Sequence, residues 1–463
     1  MNGADGLHLL TFHGSIVCVS EDGRLVHRPV AALREDCAPA LWHHAGGERI
    51  ALNAASCAPA GPRSDFVVRR TAPAEGVVHL QRGSGYLRAT PDGMLDCDVD
   101  VPQGWEQFRF LSAGELRLLR HLLGHAWIVA RTREIVPAAE IALLPGFRLR
   151  VGTITAQLGP GLPLVAEDTL ALLLFVDGWK VEELRLFRPL IYFTIFRRGA
   201  GEADYLRMTL LSIRSFEKFL GKKSEFLIIT NIDRDDVLGA MPNALDERLH
   251  IFTSDMSAHN IVDIFAERYK IAEWHLSSLF QPLLYTDSDV LCNNDISSVL
   301  RDIALGRSIM VGEENWSPPH QSDSVGASLF AQDIFDLPTA HGFNSGVIGI
   351  PNVAGHRLHL RAIVEVIQRY ASLYGRESLG WFDQACANYV SAKLARFDGS
   401  VLTKVVEHIG ASGQEPQSRT GLLHFWGAPD KIAMMRASMA ELESSGNEFS
   451  SVLHVGVAEV SGP

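Results

Sequence analysis

The stretch Leu283-Leu-Tyr-Thr-Asp287-Ser288-Asp289-Val290 decides how this chain is read. An apolar run ends in two aspartates at positions i and i+2. Aspartate is depleted in strands and costly to bury without a partner. A pair at the end of a buried strand therefore calls for a cation or a dense set of hydrogen bonds. A divalent metal that also binds a diphosphate meets that need through oxygen ligands. Taken alone, an Asp-x-Asp pair also fits a solvated loop or a helix cap.

The surrounding sequence alternates strand and helix. Ile191-Tyr-Phe-Thr-Ile195 and Phe226-Leu-Ile-Ile-Thr230 read as buried strands, with shorter ones at 249–252, 283–285, 308–311 and 347–350. Leu206, Leu210, Ile213, Phe216 and Leu220 recur at helical spacing over 203–220, and 261–280 reads as one long helix. Continuous apolar strands separated by helices predict a mainly parallel α/β sheet, which binds ligands at the carboxyl ends of its strands.

Residues 1–188 have a different rhythm, with short apolar stretches punctuated by Gly, Pro and Asp. Gly14-Ser-Ile-Val-Cys-Val-Ser-Glu-Asp-Gly-Arg-Leu25 is echoed by Ser84-Gly-Tyr-Leu-Arg-Ala-Thr-Pro-Asp-Gly-Met-Leu95. Each Asp-Gly pair marks a tight hairpin turn. Gly104-Trp105-Glu106-Gln107-Phe108 is echoed around Gly178-Trp179, and Pro145-Gly-Phe-Arg-Leu-Arg-Val151 is a weaker copy. Repeated hairpins predict a closed, trefoil-like β architecture, since one unit alone cannot bury its apolar face. The pattern resembles β-trefoil domains of the fascin-like kind, which bind carbohydrate or protein. Trp105 and Trp179 equally suit core plugs at strand ends.

The chain has 463 residues, 47% hydrophobic and 21% charged, which suits two or three globular domains. With 42 basic and 54 acidic residues the net charge is −12, so a nucleic-acid-binding scaffold is not expected. The longest apolar run, 170–176, is too short for a bilayer, which needs about 20 residues. Cys18, Cys37, Cys57, Cys97, Cys292 and Cys386 form no CxxC pair, and the start carries no secretory signal pattern. Reduced thiols and a cytoplasmic location are expected.

Several motifs then occur in order: Tyr269-Lys270-Ile-Ala-Glu-Trp274, Tyr285-Thr-Asp287-Ser288-Asp289, Phe343-Asn344-Ser345-Gly346-Val347, Trp381-Phe-Asp383-Gln384 and Leu423-His424-Phe425-Trp426-Gly427-Ala428-Pro429-Asp430-Lys431. Over about 190–440 they resemble a GT-A glycosyltransferase of family 8, the glycogenin and lipopolysaccharide-galactosyltransferase type. The last motif departs from the family pattern. Asp430 stands where a lysine is expected, Lys431 follows one position late, and no proline comes next. The turn 196–205, with Gly199 and Gly201, is also unlike the family's nucleotide-binding turn.

The resemblance implies an α/β GT-A nucleotide-diphospho-sugar transferase domain over 189–440, an all-β trefoil-like domain over 1–188, and a tail over 441–463. It implies sugar transfer from a nucleotide-diphosphate donor, a UDP-sugar, with retention of anomeric configuration. Asp287, Asp289 and His424 would hold Mn²⁺ or Mg²⁺, the imidazole favouring Mn²⁺. Lys270 and Lys431 would face the diphosphate. Ser288, Ser345, Gly346 and Gly427 would line the donor, and Thr194 and Tyr205 the base or ribose. Asn344 and Asp383 would hold sugar hydroxyls, with Gln384 near the reacting carbon. Simpler roles stay open: an ordinary histidine for His424, a turn-former for Asn344, a helix cap for Asp383 and helix packing for Trp274. No residue stands out as a nucleophile, which favours a same-face reaction assisted by the leaving diphosphate.

Two other functions remain. A sugar nucleotidyltransferase would open with a Gly-rich basic loop, which 196–205 lacks. A carbohydrate-binding scaffold with a degenerate transferase domain would fit the displaced Lys431. Residues 441–463 contain Glu441, Glu443, Glu448 and Glu459 and no Lys or Arg, so attraction to anionic membranes is not expected. The acceptor is expected to be a glycan, a protein or a small molecule.

Overall fold

The computed structural model describes residues 7–22, 24–30, 33, 38–45, 48–52, 65–72, 76–158, 164–166, 170–176, 180–197, 203–240, 247–254, 261–314, 321–334, 341–375, 383–410 and 420–444. Cys37, Cys57, Trp179, the Gly199–Gly201 turn and residues 445–463 lie outside these. The chain divides into two compact units, Met1–Glu167 with Ala171–Leu186, and Asp168–Leu170 with Phe187–Pro463.

In the first unit six strands close a barrel. Leu7–Thr11 pairs Trp42–His44, which pairs Arg49–Leu52, followed by Asp65–Ala72, Val77–Arg82 and Phe108–Ser112. The ring closes where Phe108–Ser112 returns to Leu7–Thr11 over five residue pairs. Leu9, Trp42, Ile50, Phe66, Leu80 and Phe108 fill its interior. The two clear sequence repeats are hairpins inserted between barrel strands: Ser15–Val19 with Leu25–Pro29, and Gly85–Ala89 with Leu95–Val99. They meet at the Val26–Met94 bridge. Gly93 turns the second hairpin with φ +91°, a conformation that a side chain would strain.

The barrel is complete at Ser112, well short of residue 188. There Ser112 and Glu115 form a capping box that starts the helix Ala113–Gly124. Beyond it lie a five-stranded sheet and a three-stranded meander, and the weak third repeat falls in the meander strand Arg148–Val151. Trp105 is not a core plug, since 41% of it is exposed.

The second unit holds a seven-stranded sheet in the order Leu249–Thr253, Glu225–Thr230, Leu190–Ile195, Leu283–Thr286, Gly342–Ile350, Ile309–Glu314, Phe397–Asp398. The first four are parallel. The order reverses at Leu190–Ile195, and the carboxyl ends of this strand and of Leu283–Thr286 are where such sheets bind ligands. The helix Ala203–Leu220 occupies the expected span and buries Met208, Ile213, Phe216 and Leu220.

As expected, the sheet is mainly parallel: Gly342–Ile350 alone runs antiparallel to its two neighbours. Three other expectations change. The antiparallel strand begins earlier than its apolar part, taking in the polar Asn344 and Ser345. The expected helix 261–280 breaks into Ile261–Glu267 and two 3₁₀ turns, Arg268–Glu273 and Ser277–Leu279. The break falls where the Arg268 carbonyl accepts from Tyr192 Oη at 3.0 Å and its side chain turns into the acidic site. At the other end, 441–444 closes the helix Lys431–Ser444 with Leu442 buried, so the expected tail begins inside a packed helix.

Candidate active site

The turn after Leu283–Thr286 is held from both sides. Asp287 N–H donates to Gly346 O at 2.8 Å, and Phe425 N–H donates to Asp289 O at 3.0 Å. Val290–Cys292 pairs antiparallel with Leu422–His424, which sets Val290 opposite His424. These long-range strand contacts bring His424 to the acidic pair.

Ligand atoms of Asp287, Asp289 and His424 lie within 4.8 Å of one another. His424 Nε2 is 3.4 Å from Asp289 Oδ1 and 3.8 Å from Asp287 Oδ2. His424 Nδ1 is buried without a hydrogen-bond partner. Gly346 completes the cradle. A Cβ there would collide with His424 Cε1 and stand 2.8 Å from Asp287 Oδ2 and 2.9 Å from Asn344 Oδ1. Two carboxylates, one imidazole and a floor kept clear of side chain suit a divalent cation such as Mn²⁺.

The electrostatics agree. Burial pushes the Asp289 carboxyl up, but His424 and Lys431 more than offset this and hold it well below the usual range. Lys431 Nζ, in the first turn of its helix, donates to Asp289 Oδ2 at 2.5 Å. Tyr285 Oη donates to Asp287 Oδ1 at 2.5 Å, and Tyr269 Oη donates to Asp383 Oδ2 at 2.6 Å. Burial drives both phenols well above their ordinary range, so they remain neutral donors.

Arg268, which the motifs did not single out, sits between these groups. Its Nη2 is 3.4 Å from Asp287 Oδ1, its Nη1 is 3.6 Å from Asp383 Oδ2, and Nη1 donates to Ser345 O at 3.0 Å. Burial opposes its charge, but Asp383 and Asp287 outweigh burial and keep the guanidinium protonated. Lys270, by contrast, pairs with Glu267 at 2.5 Å. Arg268 is flanked by the charged Glu267 and Lys270, so its own segment gives no sequence signal that sets it apart.

Asn344 and Gln384 converge on the bulged strand segment 344–346. Asn344 Oδ1 accepts from Gly346 N–H at 2.8 Å, and its Nδ2 donates to Glu314 Oε1 at 3.1 Å. Glu314 is buried at the end of its strand and is a further site residue not expected from sequence. Gln384 Oε1 accepts from Ser345 N–H at 3.1 Å while its Nε2 donates to Ser324 O at 3.0 Å. Asp383 is 3% exposed, and its side chain makes no capping bond to the helix Gln384–Lys393. Burial raises its carboxyl, only partly countered by Arg268 and Tyr269.

Ser288 is buried in the turn, and Gly427 N–H donates to Ile409 O at 3.4 Å. Thr194 lies near the carboxyl end of its strand with Oγ1 buried and unpartnered. Tyr205 is half-exposed in the first turn of Ala203–Leu220. Among the described residues, neither is hydrogen-bonded to the acidic cluster. Trp274 is buried and stacks on Phe280 with ring centroids 5.6 Å apart, which makes it a packing residue.

No family model matches the sequence. No curated protein sequence matches it significantly. Solved structures similar to it include the galactosyltransferase LgtC in complex with donor and acceptor sugar analogues, at 13% identity and TM-score 0.39, covering 57% of this chain and 98% of that one. The bifunctional glycosyltransferase WbbM is 13% identical with TM-score 0.39, covering 63% of this chain and 53% of that one. The glycosyltransferase GlyE of Streptococcus pneumoniae TIGR4 is 13% identical with TM-score 0.38, covering 55% and 62%. Likeness at this level does not assign an activity, which has to rest on the site itself. Among the described residues, no helix is long and apolar enough to cross a membrane.

Proposed function

We propose that the chain is a metal-dependent glycosyltransferase that moves a sugar from a nucleotide-diphosphate donor, a UDP-sugar, to a glycan, protein or small-molecule acceptor. The observation that carries this is the Asp287–Asp289–His424 cluster over Gly346, where any side chain would fill the space a cation needs. A divalent metal there would supply positive charge to the departing diphosphate. Asp287, Asp289 and His424 would hold it. Lys431, beside Asp289, adds fixed charge on the same side. Asn344 and Gln384 pin the strand at Ser345–Gly346 and would orient the sugar next to it.

The off-register Lys431 was the chief support for a degenerate, non-catalytic domain. Its position 2.5 Å from Asp289 favours the transferase instead. We read the first unit as trefoil-like, because hairpins follow the first and fifth strands around a six-stranded barrel. The proposed boundary between the β-rich part and the transferase part is near residue 188.

Retention of anomeric configuration, which the resemblance implies, is expected to go by a same-face reaction, since no side chain in the site stands out as a nucleophile. Incubation with UDP-glucose or UDP-galactose and Mn²⁺ should release UDP without pyrophosphate exchange, and proton NMR should show the donor's anomer in the product. Pyrophosphate exchange would point to a nucleotidyltransferase, and an inverted anomer would remove the same-face mechanism.

A further inference from the structure

Arg268 is fixed on every side. Its side chain is 5% exposed, its guanidinium carbon lies 4.6 Å from the Tyr285 ring centroid, and it bridges Asp287, Asp383 and the Ser345 carbonyl. It cannot swing out as a flexible ligand arm, so its contribution is charge at a set place. Its Nε is buried and without a hydrogen-bond partner, so the bridging contacts alone do not satisfy the group.

The charges around it can be counted. Asp287, Asp289 and Asp383 face Arg268 and Lys431, and a metal-ligating His424 is neutral. Among these groups, leaving aside Glu314 bonded to Asn344, one negative charge remains in surplus. Without Arg268 the surplus would be two. A bare dication binds more tightly to the more negative pocket. A nucleoside diphosphate arriving at the metal-loaded pocket is anionic and binds more weakly to it.

We propose that Arg268 is a positioning residue that sets the charge of the site so that it favours the metal–diphosphate pair over the metal ion alone. This rests on the metal and diphosphate reading given above. Through Ser345 O it also holds the strand beside Gly346, so its loss would disturb geometry as well as charge. The two effects differ in sign. A purely structural loss weakens every ligand, whereas a charge effect tightens one and weakens the other.

The test is calorimetry on the full chain, titrating Mn²⁺ alone and then UDP at saturating Mn²⁺. Arg268→Gln should bind Mn²⁺ alone about tenfold more tightly and UDP about tenfold more weakly. Arg268→Lys should restore both. Asp383→Asn should shift both the opposite way, which keeps the test decisive if Arg268→Gln does not fold. Weakening of both ligands in Arg268→Gln, no change in either, or Asp383→Asn moving in the same sense as Arg268→Gln overturns the inference while leaving the metal site standing. A wild-type chain that binds no Mn²⁺ overturns the metal reading itself and this inference with it.

Discussion

Aspartate does opposite work in the two units. In the barrel, Asp22 and Asp92 sit in the two hairpin turns, exposed, each accepting from a hydroxyl two residues earlier, Ser20 and Thr90. Those local bonds lower both carboxyls. In the α/β unit, Asp287, Asp289 and Asp383 are joined to partners far away in sequence: His424, Lys431, Arg268 and Tyr269. Polar atoms of their partners, His424 Nδ1 and Arg268 Nε, stay buried and unpartnered. A turn satisfies its polar groups within a few residues. A binding site gathers them from across the sheet and leaves some capacity unfilled.

Two glycines test this contrast most sharply. Gly346→Ala should lower donor turnover by about 10²-fold or more and weaken Mn²⁺ binding, because its Cβ would enter the cradle. Gly93→Ala should leave turnover unchanged and destabilise the first unit by about 1–2 kcal/mol, since a side chain would be strained at φ +91°. Steady-state turnover beside urea unfolding reads both. Turnover loss in Gly93→Ala would erase the distinction between the units.

Acid provides the next comparison. Burial, with His356 and Arg396 nearby, pulls His359 from 6.5 down to about 4. The unfolded chain takes up that proton first. Stability is therefore complete above about pH 6.5 and falls as pH drops toward 4. Urea unfolding of the α/β unit should lose about 2 kcal/mol between pH 7 and pH 5 from this group. His359→Gln should flatten that slope, and an unchanged slope would mean that His359 is already protonated in the fold.

The smallest effect belongs to the exposed turn. Asp22→Ala should leave turnover as it is and shift thermal unfolding barely, because the residue is solvated. A clear loss of turnover would give the barrel turn a role in the chemistry.

Local patterns were legible in the sequence because their causes are local. The apolar run before Asp287, the helical spacing over Ala203–Leu220 and the repeated Asp-Gly hairpins each depend on near neighbours. Barrel closure at Ser112 was not legible, since it depends on pairing the first strand with the last. The early, polar start of Gly342–Ile350 was also hidden, because Asn344 and Ser345 break the apolar pattern where the strand enters the site. Arg268 was missed in favour of Lys270 for the same kind of reason. Which of two neighbouring cations turns inward is set by Asp287 and Asp383, not by its own segment.

The central claim is that Asp287, Asp289 and His424 form a metal site serving a diphosphate-bearing donor. The most direct measurement is Mn²⁺-dependent turnover across a panel of UDP- and GDP-sugars, comparing wild type with Asp289→Ala under conditions where both are folded. Turnover of at least one UDP-sugar by wild type, reduced about 10³-fold or more in Asp289→Ala, is the result expected. Equal turnover in the two proteins would contradict the account.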